Sequence, residues 1–531
     1  MALNSPLLLP AILLGVILLA RLLRARRFDV LVHAASHAAW VPVAVGCGAV
    51  LLTAWIWGGL RAPAVVHDEA AYLLQGALFA RGRWTLPSPG EFAAFTQPAV
   101  LVTPVLAPKM PVGHALLLAP GIAIGLPGLV PVLLVGAAAA LIFAIARRIW
   151  GTGIATLTVV LWLTQAGQSR WRASYFSENT TAAAWLAGWW CLLRWRDHRR
   201  SGWLIALAVV TGWGAITRPL TMLAFAVPVG AVVLHDLIRL RQWRPLAVAA
   251  TAGTLVLMLL PIQNVAVLGS WRRSPLTLYT RQYLPFDRMG FGVDSTAPEL
   301  ALPPDIQAAM QGFVARHREH QPAALPRILG DRLGHAGTVA FTGWRKSLLV
   351  AGLLGLLLLG ASGWFAVASL LALYLAHLLY AHEAHWTLYY YEATPVLALV
   401  VALGLDRLLR IAVGPGNSSR WVSIAAAAGI LLLASDDFGY SRRFRAADQL
   451  PFRRLELAAN DAGSHLLVFI RYGPEHDSHV SLVRNVADPA RARLITAYDR
   501  GAGANRRVAA LFPDRTPYIW DEVSHQLLRG S

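Results

Sequence analysis

Apolar residues in this chain come in blocks of about 20, the length an α-helix needs to cross a hydrocarbon core of roughly 30 Å. The blocks fall at 5–23, 39–59, 127–146, 151–167, 180–195, 202–217, 219–237, 246–268, 347–361, 363–380, 393–411 and 421–434. Only 14% of the residues are charged and 56% are apolar, whereas soluble domains carry about 25% charged residues. Too few charges remain to cover a water-exposed globule. The expected fold class is therefore an all-α polytopic membrane protein of about 11–13 transmembrane helices, with outer-face loops and a small C-terminal α/β domain.

A formal charge of +19 raises the question of nucleic acid, but its distribution argues against such a partner. The arginines collect in short patches between apolar blocks. Arg147/Arg148, Arg194–Arg200, Arg239–Arg244 and Arg407–Arg420 fall at alternate loops, as cytoplasmic loops do under the positive-inside rule. A basic outer surface against anionic lipid phosphates accounts for much of the rest. Cys47 and Cys191 each sit inside an apolar block and form no readable disulfide or thiolate framework. At the N-terminus Arg21, Arg24, Arg26 and Arg27 follow the apolar run instead of preceding it. That order reads as a retained first span whose basic end is cytoplasmic, since a signal peptide carries its charge first.

One stretch decides the parity of the spans. Ser347 to His382 as one helix would extend about 54 Å, so the Gly360-Ala-Ser-Gly363 break predicts two short spans. The domain reading is then 1–434 for the membrane region and 435–531 for a small extracytoplasmic unit, with large outer loops at 61–111 and 269–346. In the first loop, Glu69–Arg81 has helical apolar spacing ended by Gly82 and is expected to lie along the membrane surface. In the second, Asp305 after Pro303-Pro304 is a candidate helix N-cap. In the tail, LLVFIRY and ARLITAY read as strands and Asn505–Leu511 as a helix. There is no internal repeat and no long low-complexity linker.

The most informative short run is Val66-His67-Asp68-Glu69-Ala70-Ala71-Tyr72, just after the second block. Acids at a membrane boundary are costly and default to function. A plainer role stands beside that one, with Asp68 capping the helix and Glu69 complementing its dipole, and the two are compatible. At this point the chain resembles the GT-C superfamily of membrane glycosyltransferases, among them the protein O-mannosyltransferases and the lipid A aminoarabinose transferases. The shared feature is an Asp-Glu pair in the first large outer loop followed by a helix, here Asp68-Glu69 and then Gln75–Gly82. The runs Lys109-Met-Pro-Val-Gly-His114, Tyr175-Phe-Ser-Glu-Asn-Thr180, Arg218-Pro219 and Tyr389-Tyr-Tyr-Glu392 also look like bacterial members. The resemblance covers roughly 60–400; the tail from 435 carries no motif of those families and its role stays open.

The resemblance implies an inverting glycosyltransferase that moves a sugar from a polyprenyl-phosphate donor to a hydroxyl of a lipid, glycan or protein. The work would be done at the outer face of the bacterial inner membrane, facing the periplasm or cell exterior, among membrane lipids. Asp68 is the candidate general base. Glu69 would orient the sugar or share a divalent ion, magnesium or manganese, although no metal site is readable. The leaving phosphate needs positive charge, and Arg binds oxyanions bidentately. Candidates are Lys109, Arg170, Arg172, Arg218, Arg272 and Arg273, with snorkelling to headgroups as the plain alternative for each. Arg218, in a short turn, and Lys109, between prolines, are the best placed. Tyr72, His114, Glu178, His385 and Tyr390 are candidate substrate contacts. Glu178 also fits a helix start rich in capping residues. His382-Glu-Ala-His385 with Tyr389–Tyr391 could bind a metal, sit at the bilayer interface, or form an aromatic wall for a sugar. The polar, aromatic stretches 269–279 and 285–292 suit a lid or a plain crossover, with no role given to Asp287. Two other functions compete. A lipid or polysaccharide transporter would place charges or Gly/Pro breaks in mid-span, often in repeated halves; an inactive relative would serve as an assembly subunit.

Overall fold

The structure, a computed structural model, describes residues 5–23, 38–241, 243–414, 419–477 and 479–529. Arg24, Arg26 and Arg27, which carried the reading of the N-terminal span, lie outside the described residues. All twelve apolar blocks contain helices, and the protein is a mostly helical, multi-span membrane protein. Leu129–Trp150, Pro219–Leu240, Arg244–Leu268 and Gly360–His377 are long and apolar enough to cross a bilayer alone. Two bent pairs raise that number to six: Pro322–Phe341 with Gly343–Leu357, bent by 104°, and Trp421–Leu433 with Ser435–Asp448, bent by 41°. The other helices are shorter, or carry polar ends such as Glu178–Thr181 and Asp406–Arg410.

The break expected near Gly360 is present. Gly360 takes φ +60° and separates Leu349–Leu357 from Gly360–His377. The first of these has nine residues, about 14 Å of helix, and continues a 3-10 segment, Gly343–Leu348. An apolar helix that the block pattern passes over, Val112–Ala123, is interrupted by Pro120.

Lipid is as apolar as the helices within it, so helices associate through close packing of small residues. Leu349–Leu357 crosses Thr394–Val413 at Gly355 and Gly404, where a Cβ on either would overlap the Val400 or Ala351 carbonyl oxygen. Val41–Trp57 meets Leu129–Trp150 in the same way at Gly46 and Gly136.

The helix after the acidic pair, His67–Phe79, buries eight of its thirteen residues and packs against Val112–Ala123. It is an internal helix, a correction to the surface position expected of it. Asp305 is likewise not a cap: Pro303 holds the N-cap position and the helix is Pro304–Glu319. The 61–111 segment also holds a small antiparallel sheet in which β1 (Leu86–Pro87) and β2 (Val100–Leu101) flank β3 (Val105–Pro108).

The C-terminal sheet has the order β5 (Leu494–Tyr498), β4 (Leu466–Arg471), β6 (Thr516–Asp521), β7 (Gln526–Arg529). β4 runs parallel to both β5 and β6, and β7 is antiparallel to β6. The two strands and the helix read from the sequence are here, the helix as Ala502–Ala510. β6 and β7 were not read. One face of the sheet packs with Phe452, Leu455 and Val65, the other with Val508, Ala94 and Phe95. The 61–111 segment is thus gripped by both faces of the C-terminal sheet.

Candidate active site

Helix His67–Phe79 begins with Val66 in an extended N-cap conformation. Valine has no capping oxygen, so the third helical residue supplies one. Glu69 Oε2 accepts the backbone N–H of Val65 at 2.7 Å and of Val66 at 3.0 Å. Its Oε1 accepts the Tyr175 N–H at 3.0 Å and faces Arg445 Nη2 at 3.4 Å. Glu69 is fully buried and every one of these donors is protein. It is a joint between three segments and does not line the cavity, contrary to the expectation that it orients a sugar or shares a cation.

With Glu69 taking the capping role, Asp68 is left free of it. One helical residue apart points the two carboxylates about 100° apart around the axis, and Asp68 falls on the cavity side. Its side chain is 40% exposed, with Oδ1 3.7 Å from His67 Nε2. It opens on a cavity of about 410 Å³.

Opposite Asp68 stands a cluster of paired polar groups. Arg218, the N-cap of Pro219–Leu240, binds Glu178 Oε1 at 2.6 Å. Tyr72 donates its hydroxyl to Ser177 Oγ at 2.9 Å. Burial, reinforced by the Glu178 charge, pushes the Tyr72 phenol up, so it stays a neutral donor. The Arg218 guanidinium lies 5.4 Å from the Tyr389 ring centroid. Lys109 is 4.5 Å from the Tyr279 ring and forms no ion pair among the described residues. Trp171, Trp386 and Tyr389 add flat apolar wall, and Asp287 is a third carboxylate on the lining, after Asp68 and Glu178. Asp287 accepts the Tyr380 hydroxyl at 3.1 Å.

The sequence candidates separate cleanly. Asp68, Tyr72, Lys109, Arg170, Glu178, Arg218 and His385 all border the cavity. His114 does not: its two ring nitrogens bond Thr180 Oγ1 and the Tyr175 carbonyl, each at 2.8 Å, and its ring supports Tyr72 edge-on. Tyr390 is turned behind the lining, stacked on Tyr374 and bonded to His382 Nε2, and its neighbour Tyr389 takes the cavity face. Arg172 points inward to the Trp162 and Leu163 carbonyls. Arg272 and Arg273 are exposed, Arg272 lying on Trp271, and neither borders the cavity. The His382–His385 group does not gather as ligands. His382 uses both ring nitrogens within the protein and Glu383 pairs with Arg316. Among the described residues, no three His, Cys, Asp or Glu side chains converge as for a metal.

Several lining groups carried no usable signal in the sequence. Asp287 lies in a polar stretch that reads equally as crossover. His479 comes from the C-terminal unit and stacks on His67 at 5.6 Å; no local pattern points across more than 400 residues.

Fold and cavity together define a class, that of polytopic, mostly helical membrane proteins in which an acidic helix start faces a basic, aromatic chamber. Residues 113–263 match the sequence family described as dolichyl-phosphate-mannose-protein mannosyltransferase. Among solved structures, ArnT from Cupriavidus metallidurans in the apo state aligns with a TM-score of 0.51 at 13% identity, over 89% of this chain and 88% of that one. ArnT from the same organism bound to undecaprenyl phosphate aligns with a TM-score of 0.49 at 14% identity, over 92% and 91%. The oligosaccharyltransferase of Archaeoglobus fulgidus in the apo form gives 0.36 at 11% identity, over 91% and 69%. At such identities what is shared with ArnT is the fold. No curated protein sequence matches the chain. The resemblance to GT-C enzymes drawn from the motifs therefore holds in the fold, and in sequence over the matched segment.

Proposed function

We propose that the protein is an inverting glycosyltransferase that takes its sugar from a polyprenyl-phosphate donor. The observation that carries this reading is one cavity presenting Asp68 together with Lys109 and Arg218. Such a chamber suits a reaction in which a hydroxyl loses a proton while a phosphate leaves. The match over 113–263 to a family whose donor is a dolichyl-phosphate sugar points to the same donor class.

In the proposed step the acceptor oxygen attacks the anomeric carbon as its proton passes to Asp68. The bond from that carbon to the phosphate oxygen breaks, and polyprenyl phosphate departs with the electron pair. Lys109 and Arg218 oppose the developing charge. Arg218 arrives already fixed by Glu178, so its guanidinium needs little reorganisation, whereas Lys109 is the unpaired cation of the two. The aromatic wall of Trp171 and Tyr389 offers faces for a sugar ring.

The cavity is proposed to open outside the cytoplasm. Helices Glu178–His198, Pro219–Leu240 and Thr394–Val413 begin at or beside the cavity lining, and their far ends carry Arg194–Arg199, Arg239–Arg241 and Arg407–Arg410. Basic far ends belong in the cytoplasm. The membrane proposed is the bacterial inner membrane.

The test is transfer from radiolabelled polyprenyl-phosphate sugars to a membrane extract by purified protein. Asp68→Asn keeps the size of the side chain and removes the base, and should lower transfer by about a hundredfold or more with unchanged thermal stability. Equal transfer by both proteins would remove Asp68 from the mechanism. No transfer from any donor would favour transport instead.

A further inference from the structure

A second chamber, of about 510 Å³, adjoins the first and shares Arg170, Trp171 and His385 with it. Two helices each turn one polar stripe toward it. His335, Thr338 and the C-cap Thr342 recur at helical spacing at the end of Leu325–Phe341, and Asp437 and Ser441, with the aromatic Phe444 one turn on, along Ser435–Asp448. A stripe of this kind is out of place against lipid or a dry core.

Two glutamines at its floor show what the chamber lacks. Gln165 and Gln168 are 4% and 1% exposed and line the chamber. Gln165 Nε2 donates to the Thr394 carbonyl at 2.7 Å, which fixes the amide orientation, and Gln168 Nε2 donates to Thr387 Oγ1 at 3.1 Å. Both Oε1 atoms are buried with no hydrogen-bond partner among the described residues. A buried acceptor without a donor is costly, so these oxygens call for hydroxyl or N–H groups. The hydroxyls of Thr338 and Ser441 donate to their own helix carbonyls, which turns them into further acceptors. Asp437, held by Arg345 at 2.6 Å, adds a charged one. Arg170 lies flat between Trp171, at 4.1 Å, and Phe444, at 5.3 Å, so flat surfaces stand beside the acceptors.

We propose that this chamber binds the acceptor, and that the acceptor is a saccharide. Many acceptors set next to aromatic faces suit a polyol ring, which is rich in hydroxyl donors and has apolar faces. The shared wall of Arg170, Trp171 and His385 is the passage by which one acceptor hydroxyl reaches the Asp68 chamber. The proposal rests on the glycosyltransferase reading above, and its test separates the two.

Thr338→Cys is placed in a Cys47→Ser background, which removes the exposed native thiol and leaves the buried Cys191 as the one other cysteine. Maleimide labelling at position 338 is followed in full-length protein in nanodiscs. The probe is the lipid-free oligosaccharide that mild acid releases from the host's own membrane extract. A bound saccharide should slow labelling about tenfold when present at ten times its Kd. Adding Ser441→Trp, which fills the chamber, should abolish that protection and lower transfer to extract about tenfold or more. Unprotected labelling overturns the proposal whatever the donor experiment gives. Protection by a Ser/Thr-rich peptide instead would overturn the saccharide assignment. Protection by the oligosaccharide with no transfer from any polyprenyl-phosphate sugar would support the chamber's role and count against the donor reading alone.

Discussion

Arg218 is the cation around which the cavity's acids are arranged, and its neighbours explain why a lysine could not replace it. One nitrogen meets Glu178 at 2.6 Å and the same nitrogen reaches Ser177 Oγ at 3.5 Å. A planar fork can hold these partners and still present a donor to a phosphate, while an ammonium is a point charge. Arg218→Lys should therefore fold and lower kcat/KM for the donor by about 10- to 100-fold, the loss of one or two charge-assisted hydrogen bonds; steady-state kinetics against donor concentration read it. Glu392 sits close behind. Its Oε1 accepts from Thr181, and Oε2 is buried with no partner among the described residues. Burial pushes its carboxyl up to about 7, with Arg218 opposing the shift. The folded state thus favours the protonated acid. That contribution to stability is complete below the ordinary carboxyl value of 4.5 and is lost as pH rises through about 7. Detergent-solubilised protein should melt lower at about pH 8 than at about pH 5, and Glu392→Gln should remove most of the difference. The acidic pair marks the limit of sequence reasoning at this scale. His67-Asp68-Glu69 was legible as a site, but the division of labour within it was not. That division depends on which carboxylate the helix turns inward to Arg445 and Tyr175, and partners 376 and 106 residues away leave no local trace.

Among the elements, helices were legible because apolar length in lipid has one structural outcome, and their depth was not. His67–Phe79 has the spacing of a surface helix, and the structure covers its polar side with Val112–Ala123 and the C-terminal region. Val112–Ala123 itself was hidden because Pro120 breaks an otherwise continuous pattern. Strands β6 and β7 escaped for a related reason, since Thr516-Pro517-Tyr518 opens with a proline and alternates weakly. Packing between helices leads to the sharpest expectation at this scale. At the Gly355–Gly404 crossing the two backbones touch, and an added Cβ on either would overlap a carbonyl oxygen of the other helix. Gly404→Val should force the pair apart and cost about 1–3 kcal/mol as an overpacked core. Thermal unfolding should shift down, and the homologous change at Gly230, where nothing lies within 4 Å of an added Cβ, should be nearly silent.

Across the whole molecule, the C-terminal unit is part of the cavity's wall as well as its neighbour. Its sheet grips the 61–111 loop through Val65 on one face and Phe95 on the other. Polar contacts lock the same loop: Arg484 Nη2 donates to the Ala64 carbonyl at 3.0 Å and the Val65 carbonyl at 3.3 Å, and Asn485 Nδ2 donates to the Phe95 carbonyl at 2.9 Å. The Ala64 and Val65 carbonyls lie four and three residues before Asp68, so the angle at which the acidic helix starts is set from the far end of the chain. Arg484→Met keeps an unbranched apolar stem and removes the guanidinium from over Phe452, leaving the Ala64, Val65 and Ser481 carbonyls short of a donor, at about 1–3 kcal/mol. The helical bundle does not depend on these bonds, so helix content by circular dichroism should hold. The segment around Ala64 and Val65 should become open to limited proteolysis, and transfer should fall through kcat more than through donor KM, because Asp68 moves while Arg218, held to the bundle by Glu178, stays. A variant that instead kept kcat and lost donor affinity would mean that the C-terminal unit acts on the phosphate side of the cavity, and that the Asp68 helix is positioned by the bundle alone.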